Sequence, residues 1–115
     1  MKISLAVFTL LISCVSVFGQ AFWDGNKLHL QCSQNKLIAM TYVIGVVDEI
    51  TNRPYILSSE DKIVQQRRYL CLPQGVTAGQ LADVACKYLT ETPENRHYTA
   101  NINISAALTK AFPCQ

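Results

Sequence analysis

This chain contains five cysteines, and the fate of the first decides what the other four can do. Lys2 supplies a positive start, Ile3 to Val17 is an apolar block, and Val17 and Gly19 are small residues at the spacing a signal peptidase reads. The pattern predicts a signal peptide over residues 1–19, cut before Gln20, and one domain over residues 20–115. Cys14 then leaves with the leader, and Cys32, Cys71, Cys86 and Cys114 remain. An even cysteine count in a small exported domain predicts two disulfides, and four cysteines allow three connectivities. A domain of about 95 residues buries only a little over 60% of its unfolded surface, so its core is modest. Closing a loop of about 43 residues, the length between Cys71 and Cys114, is worth up to roughly 4 kcal/mol. Against a typical total of about 5–15 kcal/mol, such a bridge is decisive.

Leu11-Ile12-Ser13-Cys14 also resembles a bacterial lipobox, which would make Cys14 a lipid anchor instead. The rest of the chain has no apolar run long enough to span a membrane. The formal net charge is +2, with both signs spread along the chain. A nucleic-acid surface needs a basic stripe, which this sequence lacks.

Helical signals dominate the domain. Asp24 or Asn26 can cap a first helix running to about Cys32, with Trp23 placed as a hydrophobic staple. A second helix, about Lys36 to Thr51, is apolar almost all round. Its expected inward stripe is Leu37, Met40, Ile44, Val47 and Ile50 or Thr51, thickened by Ile38, Tyr42, Val43 and Val46. Gly45 within it costs up to about 1 kcal/mol, and close approach of another backbone is the expected compensation. Arg53-Pro54 ends that helix. Ser58 or Ser59 ahead of Glu60 and Asp61 predicts a short helix over 61–68.

The run CLPQGVTAGQLADVACKYL, Cys71 to Leu89, reads as a pinned turn opening a helix. Pro73 and Gly75 punctuate the turn. Thr77 and Gln80 form a capping box. Leu81, Val84, Ala85, Tyr88 and Leu89 share one helical face, with Cys86 at its margin and Gln80, Asp83, Lys87 and Glu91 opposite. Thr92-Pro93-Glu94 reads as a second helix start with Pro at its first position, and Asn95 to His97 as a turn or a single helical turn. A last helix from about Thr99 to Ala111 turns Ala100, Ile104, Ala107, Leu108 and Ala111 inward, and Phe112-Pro113 ends it. The expected fold is all-α, a small disulfide-stapled bundle of four main helices plus one short helix.

Catalytic patterns are missing. Four cysteines expected in disulfides leave no thiol nucleophile. His29 and His97 stand alone, without the spacing of a zinc site. No glycine-rich phosphate loop occurs. Asn103-Ile104-Ser105 matches a glycosylation sequon within a predicted helix, where it is a chance match. The sequence therefore predicts neither an enzyme nor a cofactor or metal site. The long polar stretch 52–69 carries Arg53, Tyr55, Glu60, Asp61, Lys62, Arg67 and Arg68. Such an excursion on a small rigid scaffold is where contacts with a partner are expected.

Several phrases together resemble the Rap/Tai family of immunity proteins, which protect bacteria from type VI secretion amidase toxins. They are FWDGNKLHLQC (22–32), TYVIGVVDEI (41–50), CLPQGVTAGQLADVACKYL (71–89), PENRH (93–97) and AALTKAFPC (106–114). The resemblance implies a small helical periplasmic protein, often a homodimer, that binds an amidase effector toxin and blocks its cleft. It also implies a Cys71–Cys114 bridge. Family members often carry a second cysteine near the position of Ala39; this chain has Cys86 instead, so the second bridge is expected between Cys32 and Cys86. A periplasmic chaperone that binds unfolded clients is the alternative binding role, and a small hydrolase the enzymatic one.

Overall fold

The computed structural model describes residues 22–52, 55–57, 63–65 and 68–115, with the backbone alone for 55–57 and 63–65. Four helices follow in chain order: α1 (Gly25–Gln34), α2 (Lys36–Asn52), α3 (Ala78–Glu91) and α4 (Ala100–Ala111). A 3-10 turn at Pro93–Asn95 joins α3 to α4. The helical class and the four main elements are those the sequence predicts, and the short helical element is this turn. No short helix spans 61–68. Two strands, β1 (Tyr55–Leu57) and β2 (Ile63–Gln65), pair antiparallel instead, with Ile56 opposite Val64. The β-branched residues Ile63 and Val64 favour the extended chain, and cross-strand pairing outweighs the charge arrangement that pointed to a helix.

Each helix begins where its sequence says. The Asp24 carboxylate accepts the Lys27 N–H at 2.8 Å and caps α1. Asn35 is the hinge between α1 and α2: its N–H closes α1 on the Gln31 carbonyl, and its side-chain oxygen accepts the Ile38 N–H. Thr77 and Gln80 complete their capping box reciprocally, at 3.1 and 2.8 Å. Arg96 caps the other end of α3, its Nε donating to the Leu89 carbonyl at 2.5 Å.

The core lies where the four helices meet: Leu28 from α1, Val43, Val47 and Ile50 from α2, Leu81, Ala85 and Leu89 from α3, and Ile104 and Leu108 from α4. α3 buries the face the periodicity assigns to it, adding Ala82 and leaving Val84 and Tyr88 half-buried. α2 is rotated relative to expectation. Ala39, Val43, Val47 and Ile50 face inward, while Leu37 is 66% exposed and Ile38 is 44% exposed. Nothing lies within 4 Å of a Cβ built on Gly45, so no neighbouring backbone explains that glycine. In α4, Ala111 is exposed rather than inward.

Two features brace the bundle beyond its core. The Trp23 ring, expected as a staple for α1, stacks on Tyr42 of α2, with centroids 4.7 Å apart and planes within 1°. Asn103 of α4 is 2% exposed, and its amide donates to the carbonyls of Asn95, Tyr98 and Thr99 at 3.0–3.2 Å. A sequon asparagine held this way offers no accessible nitrogen for a glycan.

Candidate functional site

The four cysteines pair as Cys32–Cys86 and Cys71–Cys114. The first bridge ties α1 to α3. The second ties the segment entering the α3 turn to the chain end beyond α4. Around it the backbone makes a short ladder: Leu70 pairs with Pro113, the Cys71 N–H donates to the Phe112 carbonyl at 3.0 Å, and the Cys114 N–H donates to the Tyr69 carbonyl at 3.4 Å. A covalent bond and two hydrogen bonds thus hold Tyr69–Cys71 to Phe112–Cys114.

Of the predicted contact residues, Tyr55 begins β1, its backbone in register with Gln65. Arg68 is exposed just ahead of the Tyr69–Cys71 ladder. Arg53, Glu60, Asp61, Lys62 and Arg67 lie outside the described residues.

Next along the chain the fold forms an open cleft of about 550 Å³. The turn Pro73–Val76 makes one wall, Gln80, Asp83 and Val84 of α3 a second, and the Phe112 ring the third. Gly75 shapes the turn with φ +87°, a conformation only glycine adopts readily. Asp83 at the cleft also pairs with Lys36 at the start of α2. Sequence reasoning identified the turn but not the cleft, because Phe112 is brought to it from the far end of the chain by tertiary contacts, among them the Cys71 N–H bond to its carbonyl and the Cys71–Cys114 bridge.

The titratable groups suit a scaffold. His29 on α1 lies 3.4 Å from the Thr90 hydroxyl, and its pKa is lowered, first by burial and then by the positive charge of Arg96. The His97 ring sits beside the Tyr98 ring, centroids 4.1 Å apart. Among the described residues every cysteine is bridged, and no three His, Cys, Asp or Glu side chains converge as a metal site. No described helix is long and apolar enough to cross a membrane.

The fold and site define a small, disulfide-braced helical scaffold with an open cleft at the turn into α3. A family model described as Rap1a immunity proteins matches residues 24–114, and the chain belongs to that family. Its members are non-enzymatic inhibitors, and membership implies a cognate toxin as partner. No curated protein and no solved structure matches the chain. The phrases carrying the family resemblance now have structural roles. Asp24 caps α1, Leu28 is core, Cys32 is bridged, Thr77 and Gln80 cap α3, and Arg96 closes it. These residues specify the scaffold.

Proposed function

We propose that this chain is exported with loss of residues 1–19, folds in the periplasm as a homodimer, and neutralises a type VI secretion peptidoglycan amidase. It does so sterically, by seating the 53–68 segment in or over the toxin's catalytic cleft. The observation that carries this reading is the clamp at Leu70–Cys71 and Phe112–Cys114, which fixes to the bundle the chain that follows this segment. A rigid scaffold next to a contact segment favours affinity, because the scaffold itself loses no conformational freedom on binding. Two disulfides fit an oxidising compartment outside the cytoplasm. The residues proposed to meet the toxin are Arg53, Tyr55, Glu60, Asp61, Lys62, Arg67 and Arg68.

The test is binding and inhibition with the amidase encoded beside this chain's gene. Replacing Tyr55, Arg67 and Arg68 together by alanine is expected to weaken binding about a hundredfold or more with thermal stability unchanged. Unaltered affinity places the contact surface elsewhere. Failure of the unmodified protein to bind or inhibit the amidase overturns the reading.

A further inference from the structure

We propose that the Cys71–Cys114 bridge is a redox latch on the cleft: a dithiol reductant opens it in the folded protein while Cys32–Cys86 stays closed. The inference goes beyond the inhibitory reading and does not depend on it. The two bridges close loops of similar size, with sequence separations of 43 and 54, so chain entropy does not separate them. Access does. Thiol–disulfide exchange needs a thiolate to reach one of the two sulfurs, and its rate follows that approach. Cys32 and Cys86 are carried by α1 and α3, half-buried and packed against the core. Cys71 is exposed, on the non-helical segment between Leu70 and the turn into α3, and Cys114 lies beyond the end of α4.

The exchange balances between the two partners. One thiolate of the reductant attacks the Cys71 sulfur, forms a mixed disulfide and releases Cys114 as a thiolate. The reductant's second thiolate then displaces Cys71, and the reductant departs as its own internal disulfide. Two electrons pass to the protein, and the two protons lost by the reductant's thiols end on Cys71 and Cys114. Packing decides what moves next. Leu70 is 7% exposed and keeps its side of the ladder on the core. The facing side, Phe112–Cys114, loses its covalent tie and keeps backbone hydrogen bonds of 3.0 and 3.4 Å. Phe112 is the third wall of the cleft. Reduction therefore loosens that wall, while α1 and α3 stay joined by Cys32–Cys86.

A time course of reduction tests the latch. The oxidised protein is incubated with dithiothreitol without denaturant, quenched at intervals with an alkylating reagent and mapped by mass spectrometry. Cys71 and Cys114 are expected to be labelled at least about tenfold faster than Cys32 and Cys86, as access dictates. A species with two labels is then expected to accumulate with its helical circular dichroism intact. In that species hydrogen exchange is expected to quicken at the Phe112 and Cys114 amides and to stay slow at Leu28 and Leu89. Opening of both bridges together, or of Cys32–Cys86 first, overturns the proposal. So does a two-label species whose Phe112 and Cys114 amides exchange as slowly as in the oxidised protein.

Discussion

Gly25 of α1 and Asn103 of α4 meet so closely that a Cβ on Gly25 would lie 2.8 Å from the Asn103 amide nitrogen. The same Cβ would come equally close to the backbone of Arg96. The Gly25 N–H donates to the Tyr98 carbonyl, one of the three carbonyls that Asn103 holds. This contact joins the start of α1, the turn after α3 and the first turn of α4 in one polar knot.

Gly25→Ala is therefore expected to destabilise the fold by about 1–3 kcal/mol, because the atoms it meets include backbone that cannot swing away. Asn103→Ala is expected to cost about 2–4 kcal/mol, combining lost hydrogen bonds with a cavity. Asn103→Asp is expected to be worse, since a carboxylate would face three carbonyl oxygens. Urea unfolding of the three variants checks the order.

His29 makes stability pH-dependent. Its pKa in the fold lies below the ordinary 6.5, owing to burial and then to Arg96. Between the lowered value and 6.5 the unfolded chain binds a proton that the fold does not, so stability rises with pH in that window. The contribution is full above 6.5 and is lost as pH falls through the folded value. Unfolding free energy measured from about pH 7.5 down to about pH 5 is expected to fall less for His29→Gln than for the unmodified protein.

Arg96 has a second, separable role as the cap of α3. Arg96→Met is expected to cost about 1–3 kcal/mol by freeing the Leu89 carbonyl, and to raise the His29 pKa by removing the neighbouring charge. Calorimetry and an NMR titration of the His29 ring read the two effects independently. A stability loss with no change in the titration would show that the guanidinium does not act on His29.

The two disulfides close loops of similar size, with sequence separations of 54 and 43. Chain entropy values each at up to about 4 kcal/mol, so replacing either pair by serine is expected to lower stability by a similar amount. Their local consequences differ. Loss of Cys71–Cys114 is expected to speed hydrogen exchange at the Cys71 and Cys114 amides and to weaken toxin binding. Loss of Cys32–Cys86 is expected to leave those amides protected.

The turn into α3 offers a smaller, local test. Thr77→Ala is expected to cost about 1 kcal/mol through the lost cap. Gly75→Ala is expected to cost a similar amount, because its φ of +87° strains any other residue. Additive losses in the double variant are not expected, since cap and turn are two residues apart and share one backbone segment. Denaturant midpoints of the two single variants and the double settle both points.

The sequence by itself determined the elements that local chemistry decides. Asp24, Thr77 and Gln80 announce helix starts through their own hydrogen bonds, and the α3 stripe announces its buried face through periodicity. Only the tertiary structure decided the rest. α2 is apolar on nearly every side, so its pattern could not say which side faces in; packing against three helices chose Ala39, Val43, Val47 and Ile50. Residues 63–65 form a strand because a partner strand lies across from them, and the β-branched Ile63 and Val64 alone do not outvote the helical charge pattern around them. The sequence places Asn103 only in a helix; its burial follows from three carbonyls of the preceding turn that converge on it. Local hydrogen bonds are written in neighbouring residues. The choice among equally apolar faces is made by long-range contacts, which exist only once the chain has folded.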